Sequence, residues 1–115
     1  MEMQIDETRQ GGAVVVAPMG RIDSTTSPAL DAHLLGLAKA GQHRIVIDFS
    51  RVDYISSAGL RVMLTLAKRT KEAKGKLALA GLGDSVRQVF ELAGFLPLFS
   101  VEATAAEATA RVLAP

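Results

Sequence analysis

The chain has 115 residues, 13 basic against 12 acidic side chains, and no cysteine. This length fits a single domain with one core, and a formal charge of +1 gives no general electrostatic case for binding nucleic acid or anionic membrane. The lack of cysteine excludes a disulfide framework, a thiolate nucleophile and a zinc–thiolate site. Because the polar amino end lacks a signal-peptide pattern and no stretch is apolar enough to span a bilayer, we expect a cytoplasmic protein without membrane insertion.

The first third of the chain predicts a β-hairpin followed by an amphipathic helix. Residues 3–8 and 13–19 read as two strands joined by a glycine turn. Serine and threonine residues then offer several N-caps, and leucines recur at helical spacing until Gly41.

The rest of the chain alternates strands with helices. The remaining predicted elements are strands over residues 44–49, 76–82 and 95–101, and helices that run to about residues 74, 93 and 113. The order ββαβαβαβα predicts one α/β domain over residues 1–115, a mixed sheet with parallel crossovers flanked by about four helices. We expect the apolar run GFLPLF, residues 94–99, to pack under the last helix.

The stretch VDYISSAGLRV, residues 52–62, places two serines and a glycine between a strand and a helix. A serine there can cap the free N–H groups of the helix, or act as a nucleophile on a sharp turn. It can also accept a phosphate, which the helix amino terminus tolerates. The nucleophile interpretation is disfavoured, because Ile55 stands where the turn needs glycine and only His33 and His43 could act as the base. The residues alone leave capping and phosphorylation open.

Two motifs together resemble a known family. The runs VIDFSRVDYISSAGLRVML and GRIDSTTSPAL look like the phosphorylation site and the aspartate loop of STAS-domain anti-sigma factor antagonists. The element order agrees over nearly the whole chain, including FELAGF before the last strand. The resemblance implies a single STAS-type domain in which Ser57 is the phosphoacceptor. Well-studied members carry aspartate at the position of Ser56. Because this chain has serine there, Ser56 is the second candidate for the phosphoacceptor.

The resemblance also implies which residues contact the partner. Asp23 is expected to lie beside the phosphoacceptor and to contact the kinase. The full set of expected partner-binding residues is Asp23, Ser24, Thr25, Ser27, Ser56, Gly59 and Arg61.

The function that this resemblance implies is regulatory, not enzymatic. The unmodified protein is expected to bind an anti-sigma factor of the histidine-kinase-like ATPase type and so to free a sigma factor for transcription. The same partner would phosphorylate the serine with ATP, and a PPM-type serine phosphatase would reset it. The alternative within the same fold is a STAS accessory subunit of a lipid-transport ATPase that binds its partner constitutively.

Other sequence features favour structural roles. Gly81-Leu-Gly83 stands where a phosphate loop would, but Val86 replaces its third glycine. The basic run over residues 67–76 lacks aromatic residues for base stacking, so we expect a solvated helix face and no direct contact with nucleic acid. Because no His, Asp or Glu residues have metal-ligand spacing, we expect neither a metal nor a cofactor.

Overall fold

Seven strands and four α-helices lie along residues 3–115, the part of the chain that the computed structural model describes. In chain order they are β1 (Ile5–Gln10), β2 (Ala13–Pro18), β3 (Gly20–Ile22), α1 (Ser27–Lys39), β4 (Arg44–Asp48), β5 (Val52–Ile55), α2 (Ser57–Glu72), β6 (Lys76–Ala80), α3 (Asp84–Leu92), β7 (Ser100–Glu102) and α4 (Ala105–Leu113). A short 3-10 helix, Leu96–Leu98, precedes β7.

The main sheet has five strands in the order β1-β2-β4-β6-β7. β1 is antiparallel to β2, and the other neighbouring strands are parallel. The hairpin turns at Gly11 and Gly12, whose φ angles of 58° and 92° lie in the left-handed region that glycine adopts readily. The mixed sheet and its four helices confirm the predicted fold class.

Helices cover both faces of this sheet. On one face, α1, α2 and α3 bury Leu34, Met63 and Phe90 in the larger part of the core. On the other face, α4 buries Ala108 and Val112 in a smaller apolar cluster. None of the helices in the described chain is long and apolar enough to cross a membrane.

A second, two-stranded parallel sheet consists of β3 and β5, which the sequence did not predict as strands. Ile22 pairs with Ile55, and both side chains are buried. These strands have three and four residues, too short to show an alternating pattern. Their pairing matters because each strand ends next to a predicted site residue.

The prediction of a strand over residues 95–101 was wrong at its amino end. Pro97 lacks a backbone N–H and lies in the 3-10 helix, so strand pairing begins only at Ser100. The prediction that GFLPLF packs under α4 was also wrong. Phe95 and Phe99 pack on the α3 side of the sheet, where the Phe99 and Phe90 ring centroids are 5.8 Å apart.

Candidate functional site

The carboxyl ends of β3 and β5 lie side by side. The Ser56 N–H donates a hydrogen bond to the Ile22 carbonyl at 2.8 Å, which continues the pairing of the two strands by one residue. Asp23 follows Ile22, and Ser57 follows Ser56. The strand pairing therefore brings the Asp23 loop beside the two serines.

Gly59 sets how closely the first turn of α2 packs on these strands. It is buried, and a Cβ atom there would lie 2.7 Å from Ile22 Cγ2 and 2.7 Å from Ile55 Cγ1. Such distances are shorter than any stable carbon contact. Glycine is thus required where the helix crosses both strands, and it fixes the start of α2 over them.

The two serines occupy different positions at the start of α2. Ser56 is the N-cap, with an extended backbone, and its Oγ accepts a long hydrogen bond from the Gly59 N–H at 3.5 Å. Ser57 is the first helical residue and is exposed. Within residues 3–115, its hydroxyl makes no hydrogen bond. The structure thus uses Ser56 as a cap and leaves the Ser57 hydroxyl free.

The Asp23 carboxylate is held by its own loop. Its Oδ1 accepts hydrogen bonds from the Thr25 hydroxyl at 2.7 Å, the Thr25 N–H at 3.0 Å and the Thr26 N–H at 3.2 Å. These bonds, above all the one from the Thr25 hydroxyl, lower the pKa of Asp23 from 3.8 to about 2. Asp23 therefore carries a fixed negative charge throughout the physiological pH range.

Thr26 ties the same loop to β3. Its hydroxyl donates to the Arg21 carbonyl at 2.7 Å and accepts from the Asp23 N–H at 2.9 Å. Ser27 follows as the first residue of α1 and is only 6% exposed, whereas Ser24 and Thr25 are exposed. Of this loop, Ser24 and Thr25 face solvent, and Ser27 supports them from within.

Arg21 and Tyr54 extend the site outward across the two short strands. The Arg21 Cζ atom lies 4.1 Å from the centroid of the Tyr54 ring, in cation–π contact. Arg21 Nε is also 3.6 Å from Asp23 Oδ2. Sequence reasoning missed both residues, although the position of the chain's single tyrosine just before the serines was a usable signal.

A shallow groove separates the amino-terminal halves of α1 and α2. It has a volume of about 340 Å³ and is lined by Ser27, Pro28, Asp31, Ala58, Arg61, Val62 and Thr65. Arg61 is exposed one turn after Ser57, so a partner that contacts Ser57 can also reach this guanidinium. Of the expected contact residues, Ser27 and Arg61 line this groove, and only Arg61 of the two is exposed.

Neither histidine is placed to act as a base for Ser57. His33 Nε2 lies 2.7 Å from Glu7 Oε1, on the β1 side of α1. His43 packs against Gly75, beyond the carboxyl end of α2, and this helix of 16 residues is about 24 Å long. Residues 3–115 also contain no cluster of three or more His, Asp or Glu side chains that could hold a metal ion. The geometry gives no support to a Ser-His-Asp hydrolase.

The sequence pattern of the STAS domain matches residues 4–108. The chain belongs to the STAS domain family. Its relatives include BtrV of Bordetella bronchiseptica, a candidate anti-sigma factor antagonist, which is 40% identical over 99 residues that cover 86% of this chain and 85% of BtrV. The anti-sigma-B factor antagonist of Staphylococcus aureus is 28% identical over 101 residues, covering 88% of this STAS protein and 94% of the relative.

Solved structures share the fold of this STAS protein. An anti-sigma factor antagonist from Mycobacterium paratuberculosis superposes with a TM-score of 0.89 at 24% identity, over 97% of this chain and 95% of that one. The phosphorylated form of Bacillus SpoIIAA superposes with a TM-score of 0.73 at 23% identity, over 96% and 98% of the two chains. The chain therefore groups with STAS-type anti-sigma factor antagonists, which are regulatory proteins, and this confirms the resemblance seen in its motifs.

Proposed function

We propose that this STAS protein binds an anti-sigma factor while Ser57 is unmodified and releases it when Ser57 carries a phosphate. One observation carries the proposal: Ser57 has an exposed hydroxyl without a hydrogen bond, and it follows a strand whose end is paired with the strand that leads into Asp23. The relationship to BtrV and to the Staphylococcus aureus antagonist supports the choice of partner. The existence of a phosphorylated form of SpoIIAA supports the choice of switch.

The start of α2 is suited to accept a phosphate without loss of the fold. Ser57 is the first residue of the helix, so the N–H groups of the first turn point toward its side chain. An anion at this end is favoured by those groups and by the helix dipole. Because the unmodified hydroxyl makes no hydrogen bond within the described chain, phosphorylation breaks no native hydrogen bond there. We expect the modification to change the charge of the surface and to leave its shape intact.

Electrostatic repulsion is large enough to release a partner. A phosphate carries about 1.5 to 2 negative charges. Against a partner carboxylate about 8 Å away, at an effective dielectric constant near 20, a dianion is repelled by roughly 4 kcal/mol, and screening by salt leaves about 2 kcal/mol. That energy corresponds to roughly a thirtyfold loss of affinity. Steric exclusion of the phosphate from a close interface adds to the effect.

The proposed contact surface consists of Asp23, Ser24, Thr25, Ser56 and Arg61, with Arg21 and Tyr54 at its outer edge. Ser27 and Gly59 shape this surface from the interior. We propose that the partner is an ATPase of the histidine-kinase-like type that also phosphorylates Ser57, and that a PPM-type phosphatase removes the phosphate. The protein would then be the substrate in both reactions and the catalyst of neither.

The test is the affinity of three variants for the cognate anti-sigma factor, measured by isothermal titration calorimetry. Ser57→Ala adds no charge and breaks no internal hydrogen bond, so it should retain the wild-type affinity within about threefold. Ser57→Asp adds one negative charge and should lower the affinity by about fivefold. The matched control is Ser85→Asp, which places the same charge on another exposed serine in the first turn of a helix. Equal affinities for the two aspartate variants would contradict the proposal.

A further inference from the structure

β1 is a six-residue strand at the edge of the main sheet. It pairs with β2 on one side, and no strand within residues 3–115 pairs with its other side. After the partly buried Ile5, the remaining side chains of β1 are exposed. Its outer edge therefore presents backbone N–H and C=O groups that another strand can bond.

The alternation of hydrogen bonds decides which backbone groups of β1 point outward. Gln10 and Ala13 flank the two-residue turn, so they bond each other across the hairpin. The Met19 N–H donates to the Gln4 carbonyl at 3.0 Å, which gives the same alternation at the other end. Even-numbered residues of β1 thus use their backbone groups toward β2. The odd-numbered residues between 5 and 9 direct theirs away from the sheet.

We propose that β1 pairs antiparallel with β1 of a second copy of this chain, in the register centred on Thr8. Pairing through the outward groups allows registers that differ by steps of two residues. One places Glu7 opposite Glu7, another places Arg9 opposite Arg9, and both set like charges face to face. The register between them places Glu7 opposite Arg9 twice, once on each side of a Thr8–Thr8 pair. The charges select this register.

The side chains around Glu7 and Arg9 leave both of them able to reach a second copy. They share the α1 side of the sheet, where Glu7 Oε1 is 2.7 Å from His33 Nε2 and Glu7 Oε2 is 3.4 Å from Arg9 Nη2. The Arg9 side chain is 57% exposed, and that of Glu7 is 25% exposed. A strand added at the edge would place a second arginine beside the Glu7 carboxylate.

The side chains on the other face of β1, those of Asp6, Thr8 and Gln10, are also compatible with this register. Asp6 is bound to Arg51, with Asp6 Oδ2 3.0 Å from Arg51 Nη1. In the proposed register Asp6 faces the neutral Gln10 of the second copy, and Thr8 faces Thr8, a favourable cross-strand pair. No like charges meet directly on either side.

Charged side chains on an edge strand usually prevent pairing between sheets. β1 differs because Glu-Thr-Arg, residues 7–9, is complementary to itself when the strand direction is reversed. The resulting dimer has twofold symmetry and joins the two five-stranded sheets edge to edge. Since the interface is small and depends on ion pairs, we expect an affinity that weakens as salt is added.

Charge reversal tests the register on the full chain by sedimentation equilibrium. Wild type should show a dimer fraction that rises with protein concentration. Glu7→Arg sets arginine against arginine on both sides of the twofold axis and should raise the dissociation constant by about tenfold or more. The double variant Glu7→Arg, Arg9→Glu restores both opposite-charge pairs and should restore the dimer.

The control for charge reversal is Glu91→Arg, an exposed position on α3, which should leave the dimer unchanged. Circular dichroism of each variant separates loss of the dimer from loss of the fold. A wild-type protein that stays monomeric at every concentration, or a double variant that fails to recover the dimer, overturns the proposal.

Cysteine cross-linking gives an independent test, because the chain has no cysteine of its own. Thr8 lies on the proposed twofold axis in a non-hydrogen-bonded pair, where opposing Cα atoms are about 4.5 Å apart, so oxidised Thr8→Cys should form a disulfide-linked dimer. Gln10→Cys places the cysteine on the same strand and the same side of the sheet as Thr8. In the proposed register it lies opposite Asp6 of the second copy, so it should cross-link far less. Equal cross-linking of the two variants would overturn the register.

Discussion

The Asp23 loop and the Ser57 turn lie at the ends of neighbouring strands, but they are held in opposite ways. The Asp23 carboxylate accepts hydrogen bonds from Thr25 and Thr26, which lower its pKa to about 2. The Ser57 hydroxyl has no bond within the described chain and faces solvent. The Asp23 loop holds a negative charge in place, and the Ser57 turn presents a hydroxyl that is open to modification. This difference suits a switch by modification, because Ser57 can be modified while the Asp23 loop keeps its conformation.

Both regions depend on the same packing contact at Gly59, and its loss should have the largest effect. In Gly59→Ala, the added methyl meets Ile22 and Ile55 at 2.7 Å. We expect the free energy of unfolding to fall by about 2 to 3 kcal/mol, measured by urea denaturation.

The matched control for this variant is Gly36→Ala, within α1, where a Cβ atom would meet nothing within 4 Å. That substitution should raise stability by roughly 0.5 to 1 kcal/mol, because alanine favours the helix. If Gly59→Ala is as stable as Gly36→Ala, the close crossing of α2 over β3 and β5 is wrong.

The pKa of Asp23 tests whether hydrogen bonds from its own loop hold the carboxylate. Thr25→Val removes the hydroxyl that is the largest cause of the lowered pKa, so the pKa of Asp23 should rise from about 2 toward its ordinary value. Thr25→Ser keeps a hydroxyl and should keep the low pKa. Carboxyl carbon shifts followed by NMR between pH 1 and about 6 measure both variants.

The same pKa has a consequence for stability. Because the folded-state pKa of Asp23 lies below the ordinary value of 3.8, its carboxylate stabilises the folded state above that pH. This contribution should be lost as the pH falls from about 4 toward 2, and the loss should be smaller in Thr25→Val. Identical acid-unfolding profiles for the variant and the wild type would show that these hydrogen bonds do not act on Asp23 in solution.

Substitution of the two adjacent serines should change the free energy of unfolding by smaller and unequal amounts. Ser56→Ala removes an N-cap whose hydrogen bond is long, so it should lower the free energy of unfolding by about 0.5 kcal/mol. Ser57→Ala should change it by less than that, since no bond is lost. Chemical denaturation of the two variants side by side measures the difference. If Ser57→Ala lowered the free energy of unfolding more than Ser56→Ala, Ser57 and not Ser56 would have the structural role.

The sequence predicted the long elements well and the short ones poorly. α2 was recognisable because apolar residues recur at helical spacing over several turns, and Leu60 and Met63 of that pattern are buried. β3 and β5 have three and four residues, so no period could be read from them. The segment around Pro97 was mistaken for a strand because its apolar composition was given more weight than the proline, which lies in the 3-10 helix.

The same limit explains what was found at the site. Asp23 and the two serines were predicted as site residues because the runs that contain them resemble motifs of the STAS antagonist family. The contact between Arg21 and Tyr54 depends on the pairing of β3 with β5, which is a tertiary feature without a local signal. The capping role of Ser56, and the free hydroxyl of Ser57, likewise required the backbone geometry at the helix start.

The most direct test of the central claim is to locate the phosphate after incubation with the cognate anti-sigma kinase and ATP. Peptide mapping by mass spectrometry distinguishes Ser57 from Ser56 within the same peptide. We expect one phosphate, on Ser57, and none in Ser57→Ala. A phosphate placed elsewhere, or none on either serine, would contradict the central claim.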